Sequence, residues 1–241
     1  MLLITLGIVK HVVIDETDWA RMGTLEYTMG LMARFAPDLA YMPSVVGPLL
    51  DTFLIAVLGT CVAIVLSLPV AYLGARNITP LYPITFAAGR SAMAVSRSTH
   101  EIIWGLLFVS ALGLGALPGI LAIGCRSVGF LAKTTAEAME NAKPGPIEAI
   151  EATGAGRLQV VMFGIVPQVL ALFLGNAIFQ LDMNLRRAAI MGMVGAGGIG
   201  LLFAEHMMIL EYDKAASVVV AIVLMVVAGE IISNRIRTRL I

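Results

Sequence analysis

The sequence predicts an all-α membrane protein of about six transmembrane helices, and three observations carry that prediction. Hydrophobic residues make up 59% of the 241 and charged residues only 13%, where soluble domains carry about 45–50% and about 25%. The mean hydropathy is +0.92. The apolar residues come in runs long enough for spanning helices rather than in the short segments of a barrel. A soluble core of this size has no room for so much apolar surface, so a lipid bilayer is the expected surroundings. The 16 basic and 16 acidic residues balance, which leaves no basic face for a nucleic acid.

The elements follow in order. The run 1–14 is interrupted by Lys10 and lacks an A-x-A cleavage site, so it reads as a short first transmembrane helix, not a signal peptide. Residues 15–46, with Trp19, Tyr27, Phe35 and Tyr41, suit either an interfacial amphipathic helix or an ordered loop. The second span lies near 49–74 with Pro69 as its kink. The third runs from about 84 to 113 and starts unusually polar, with Arg90, Ser91, Ser96, Arg97, Ser98, His100 and Glu101. The fourth, fifth and sixth lie near 116–139, 160–183 and 215–234. This divides the chain into an N-terminal helix with its outer segment, 1–46, and a core, 47–238, that carries a loop at 140–160.

Charge sets the orientation. The tail SNRIRTRLI holds Arg235, Arg237 and Arg239 and no acid, which marks it as cytoplasmic. Counting back through alternating spans puts Lys143 and Arg157, and Arg76 in the 75–83 turn, on the same side. Residues 15–46 then fall outside, where Asp15, Glu16, Asp18, Glu26 and Asp38 outnumber Arg21 and Arg34. With six spans both termini are cytoplasmic. Cys61 and Cys125 sit in apolar segments, and His11, His100 and His206 lack ligand spacing, so neither a disulfide nor a metal site is expected.

The cytoplasmic loop is the most informative segment. In ENAKPGPIEAIEATGAGRLQVVMFGIVPQ, Pro144 and Pro146 end the preceding helix, a short polar helix covers 147–153, and Gly154 and Gly156 break it before the next helix. The result is a helix–glycine–helix hook. Glu148-Ala149 followed by Gly154 and Pro167 resembles the EAA loop of bacterial ABC importer permeases, E-A-A-x3-G-x9-I-x-L-P, with Ile150, Gly164 and Val166 as departures. Small residues let such a hook seat in a cleft, and a carboxylate gives a directional contact to the partner. Together with RRAAIMGMVGAGGIG, the loop is similar to permeases of the phosphonate/phosphite importer group over most of 47–238; methionine-importer permeases share the architecture.

That resemblance implies a type I importer fold in the bacterial inner membrane and a homodimer of this chain. It also implies two cytoplasmic ATPase subunits and a periplasmic substrate-binding protein. Glu148, Ala149, Glu151, Ala152, Gly154, Ala155 and Pro167 would couple to the ATPase. No G-x-x-x-x-G-K-[ST] motif occurs, so ATP and Mg belong to the partner, and neither catalysis nor a cofactor is expected in this chain. A stand-alone secondary transporter is the alternative of a different class, and it leaves the hook unexplained.

The phrase at 193–201 contains G-x-G-x-x-G at Gly195, Gly197 and Gly200, the pattern of a dinucleotide turn. Only about ten residues separate Gly200 from Glu211, too few for the helix and strand that such a fold requires. Met193, Val194, Gly195, Gly197, Gly198, Ile199 and Gly200 are expected instead to line the pathway or gate at the dimer axis. Methionines flank them at Met191, Met207 and Met208, as gate or as flexible core filler.

Charges inside spans are functional candidates because hydrocarbon penalises them. Arg97 and Glu101 are spaced i,i+4, as one neutralising pair on a helical face beside an anion's path or as polar glue. Arg126 has no acid within a turn and faces either the path or a partner helix. Asp182 and Arg186 are also i,i+4, and Arg186 with Arg187 brings positive potential to the outer mouth or anchors the boundary by snorkelling. Tyr212, Asp213 and Lys214 mark the outer start of the last span, and Glu230 pairs with Arg235 or its neighbours.

Overall fold

The structure is a computed structural model that describes residues 1–15 and 25–240. Glu16, Asp18, Trp19 and Arg21, and the side chains of Asp15, Glu26 and Arg239, lie outside what is described. Helices account for the described fold: α1 (Leu2–Val9, continued by a π-turn Lys10–Asp15), α2 (Leu25–Arg34), α3 (Met42–Gly74), α4 (Ile84–Ser98), α5 (Glu101–Leu112), α6 (Ala116–Glu140), α7 (Pro144–Glu151), α8 (Arg157–Val160), α9 (Val166–Met191), α10 (Ile199–Met208) and α11 (Tyr212–Leu240). No strand occurs among the described residues.

Among the described residues, four stretches are long and apolar enough to cross a membrane: Tyr27–Gly74, Ala116–Glu140, Arg157–Val194 and Tyr212–Thr238. The first helix has eight α-helical residues and six of π-helix, short of the ~20 that a crossing needs. The expected single span over 84–113 is two helices. Thr99 is extended and His100, also extended, caps α5 by accepting from the Ile102 N–H at 3.3 Å through Nδ1. A side-chain acceptor at the N-cap starts a new helix where hydropathy alone sees one run.

α3 is the spine. α6 lies beside it in the same direction, and small residues set their separation. A Cβ on Gly59 would stand 2.9 Å from Ile123 Cγ2, and one on Gly119 3.3 Å from Ile55 Cγ2. α4 and α5 return along α6, with Gly89 so close to α3 that a Cβ would meet the Gly74 nitrogen at 2.6 Å. Such contacts bring helices together where lipid supplies no hydrophobic drive between them. α9 runs antiparallel to α3, and α11 closes the bundle against α9.

Polar groups point inward and apolar ones outward. Asn184, fully buried on α9, donates through Nδ2 to Thr60 Oγ1 on α3 at 2.9 Å and accepts from Ser127 Oγ on α6 at 3.0 Å. Gln180 Nε2 donates to the same Ser127 hydroxyl at 2.9 Å. Leu54, Leu58 and Val65 of α3, Leu106 and Leu107 of α5, and Val223 and Leu224 of α11 are exposed on the outside. This is the arrangement that hydrocarbon requires.

Replacing Asn184 by Leu leaves the Ser127 hydroxyl without its acceptor and takes a partner from Thr60 and from Arg187, so Asn184→Leu lowers stability by about 1–3 kcal/mol. Leu58→Ala, on the lipid face, changes it by less than about 0.5 kcal/mol. Reversible unfolding in detergent measures both, and equal effects would refute the central role given to this polar knot.

Candidate functional site

The hook is built from its turns. Glu140 ends α6, and Pro144 opens α7 at a first-turn position, where its missing N–H costs nothing. Gln168, at the start of α9, clamps the base: its Oε1 accepts from the Lys143 N–H at 2.9 Å and its Nε2 donates to the Gly164 carbonyl at 2.6 Å. Glu148, Ala149, Glu151, Ala152 and Gly154 face solvent, while Ile147, Ile150 and Ala155 are half-buried. Gly154 stops the helix with φ 78°, its N–H bonded to the Glu151 carbonyl at 2.9 Å. Pro167 lies in the first turn of α9.

The hook also touches the 75–83 turn. Arg157 donates to the Thr79 carbonyl at 2.8 Å. A cavity of about 530 Å³ remains between the two segments, lined by Asn77, Ile147, Glu151 and Arg157 among others. At the same end Glu140 Oε1 accepts from the Arg76 N–H and from the Arg90 guanidinium, both at 2.7 Å.

At the far end of the bundle, α9 tightens into a 3-10 turn, Gly192–Val194, and the chain then reverses through Gly195, Gly197 and Gly198, with φ of 88°, 75° and 76°. The segment before the glycines is a helix, which disposes of the dinucleotide pattern. The turn is locked into its surroundings: Gly115 N–H donates to the Gly195 carbonyl at 3.1 Å, and Ile199 N–H to Thr52 Oγ1 at 2.7 Å. Ala196 and Ile199 are fully buried, and a Cβ on Gly192 would stand 2.7 Å from Gly200 Cα. Met193 alone of the hydrophobic side chains at 193–199 projects outward, half exposed at 51%.

The charges regroup. Because the helix breaks before it, Glu101 does not pair with Arg97, which is exposed and makes no ion pair among the described residues. Glu101 stands instead between Arg126 at 3.8 Å and Arg187 at 3.4 Å. Arg186 turns the other way, to Asp182 at 2.9 Å and Glu230 at 3.5 Å, so Glu230 meets α9 and not Arg235. Consecutive residues on a helix point about 100° apart, and the two arginines therefore serve different interfaces.

A further cluster ties the start of α3 to α10 and α11. The Tyr41 hydroxyl meets His206 Nε2 at 2.7 Å, His206 Nδ1 meets Glu211 Oε2 at 2.9 Å, and Lys214 donates to Glu211 Oε1 at 2.8 Å. The hydrogen bond from Lys214, with a smaller one from His206, holds the Glu211 carboxyl below its ordinary range. Spacing could not reveal this cluster, since Tyr41 and His206 are 165 residues apart.

Residues 27–241 match the family described as binding-protein-dependent transport system inner membrane component. The chain belongs to this family. The permease is 40% identical over 201 residues to the phosphite transport system permease protein PtxC of Stutzerimonas stutzeri, covering 83% of this chain and 73% of that protein. It is 36% identical over 231 residues to the phosphate-import permease protein PhnE of Mycolicibacterium smegmatis, covering 95% of this chain and 43% of that one. Among solved structures, the inward-facing MetNI methionine ABC transporter superposes with a TM-score of 0.70 at 22% identity, over 85% of this chain and 99% of that chain. At that identity the likeness is one of fold, and the fold is that of a type I ABC importer permease.

Glu211 generates a pH prediction for the permease. Its folded-state pKa is depressed, so its contribution to stability is present above the ordinary value of 4.5 and fades as pH falls through the lower folded value. Hydrogen exchange around residues 206–217 should rise below about pH 4.5. In Glu211→Gln the same amides should exchange fast at every pH, with no such step.

Proposed function

We propose that the chain is the membrane permease of an ATP-driven importer for a small phosphorus oxyanion such as phosphite or phosphonate, without catalysis of its own. The observation that carries this is the solvent-facing hook. It presents Glu148, Ala149, Glu151, Ala152 and Gly154 on a helix that is clamped at its base and free at its tip. The relatives at 36–40% identity are named for phosphite and phosphate import, which supports the substrate class. The methionine importer is alike at 22%, a likeness of fold alone.

In this reading the functional unit holds two copies of this chain, two cytoplasmic ATPase subunits that bind ATP and Mg, and a periplasmic substrate-binding protein. It lies in the bacterial inner membrane. The carboxyl terminus is cytoplasmic on its arginines. The ATPase draws on the hook, Ala155 and Pro167 included. Closure of the ATPase pair moves α6 and α9 as levers, and the turn at 193–200 is the fixed corner beside the gate.

Two variants test this. Gly154→Arg puts a bulky cation at φ 78° where only solvent lies within 4 Å of a Cβ, so the bundle folds while the hook is deformed at a cost of about 1–2 kcal/mol. Uptake of inorganic phosphite should vanish with the permease still in the membrane, and the ATPase subunit should no longer co-purify. Normal uptake would sink the coupling role. Gly197→Val, whose Cβ would lie 3.3 Å from the Ala116 nitrogen, should abolish uptake while co-purification persists. Unchanged uptake there would remove this turn from the gate.

A further inference from the structure

Glu101, Arg126 and Arg187 meet where a lipid-facing surface has no use for charge. Arg126 stands between the ends of α6, Ala116 and Glu140, about 15 Å from one and about 21 Å from the other at 1.5 Å per residue. That is near the middle of a hydrocarbon core about 30 Å thick. The side chains of Glu101, Arg126 and Arg187 are 14%, 23% and 17% exposed, so the cluster opens on the surface of the chain. One carboxylate faces two guanidiniums and, at 3.8 Å, the His100 ring, so at least one positive charge is uncompensated, and hydrocarbon rejects such a charge. The surface it opens on therefore faces water or protein.

The guanidiniums are also under-used. Both contacts to Glu101 are ion pairs without hydrogen-bond geometry, at 3.4 and 3.8 Å. The Arg126 guanidinium donates no hydrogen bond among the described residues, and Arg187 donates one, to Asn184 Oδ1 at 3.1 Å. One turn along α5, Trp104 packs among α6 and α9 side chains, and its indole N–H is buried with no acceptor among the described residues. Donors outnumber acceptors around this cluster, a surplus that an anion with several oxygens would answer. The neighbouring Arg186 is the internal contrast: two carboxylates answer it.

Resting on the importer reading above, we propose that Arg126 and Arg187 form an intramembrane subsite for one singly charged tetrahedral oxyanion. Glu101 is the internal carboxylate that holds the two forks in register while the subsite is empty. A monoanion brings the cluster to neutrality, whereas a dianion leaves it negative. Carboxylate and oxyanion oxygens suit the same planar forks, so Glu101 yields its place to the ligand as it enters.

The test is uptake of inorganic phosphite by proteoliposomes holding the permease with its ATPase subunit and binding protein. Arg126→Gln and Arg187→Gln should each lower uptake roughly 10- to 100-fold, the scale of a lost charge-assisted hydrogen bond, while still co-purifying with the ATPase subunit. The double variant Glu101→Gln/Arg126→Gln should stay as low as Arg126→Gln; recovered uptake would show a merely structural ion pair and overturn the proposal. Wild-type uptake in either single variant would overturn it as well. If Arg126→Gln fails to assemble, Arg126→Lys keeps the charge but not the fork, and its KM for phosphite should rise; an unchanged KM refutes the subsite. Should the wild-type assembly move neither phosphite nor methylphosphonate, the importer reading itself falls, and the subsite with it.

Discussion

The structure depends on one constraint: inside hydrocarbon, a polar group must find its partner within the protein. The knot of Thr60, Ser127, Gln180 and Asn184 satisfies it by joining α3, α6 and α9 at a single place. The knot forms only because Gly59, Gly119 and Gly124 let α6 approach α3 closely enough for short side chains to touch across the gap. Small residues and short polar ones are thus a single device. α6 and α9 lead to the hook at one end and α9 to the glycine turn at the other, so the knot fixes the geometry between the two.

The hook is tied to the bundle by more than one route. α6 and α9 leave it directly, and Arg157 reaches across to the Thr79 carbonyl. Glu140 then gathers Arg76 and Arg90, joining the ends of α3 and α6 to the middle of α4. At the opposite end the turn beside Gly195 is held by Gly115 and by Thr52. Clamps of this kind make the bundle respond as a body rather than as separate rods, which is what rigid-body alternation between two states requires.

Much of this was legible in the sequence. Hydropathy identified the membrane class, the prolines and glycines of 140–168 outlined the hook, and the Asp182–Arg186 spacing foretold a pair. Periodicity failed where local chemistry took over: His100 caps a helix inside an apolar run, and the break redirects Glu101 from Arg97 to two arginines on other helices. Those partners are remote in sequence, so no spacing rule could find them. The departures from the loop pattern explain each other only in three dimensions. A large residue stands at Ile150 for a small one and a small residue at Gly164 for a large one, and a Cβ on Gly164 would lie 3.5 Å from Ile150 Cδ1. Volume moved from one side of a contact to the other, a swap that cores tolerate well.

The glycine phrase shows why a motif needs its context. A dinucleotide turn and the turn at 195–198 ask the same thing of glycine, positive φ and a close backbone neighbour. The difference lies in the element before it. After a strand, such a turn aims backbone N–H groups outward at a phosphate. Here it follows a helix deep in a bundle, and its polar groups are turned inward, the Ile199 N–H onto Thr52 and the Gly195 carbonyl onto Gly115. Backbone groups committed in this way cannot cradle an anion. In the proposed subsite the task of meeting a negative charge passes to side chains, and the guanidiniums of Arg126 and Arg187, less exposed than Arg97 and less neutralised than Arg186, keep donors to spare.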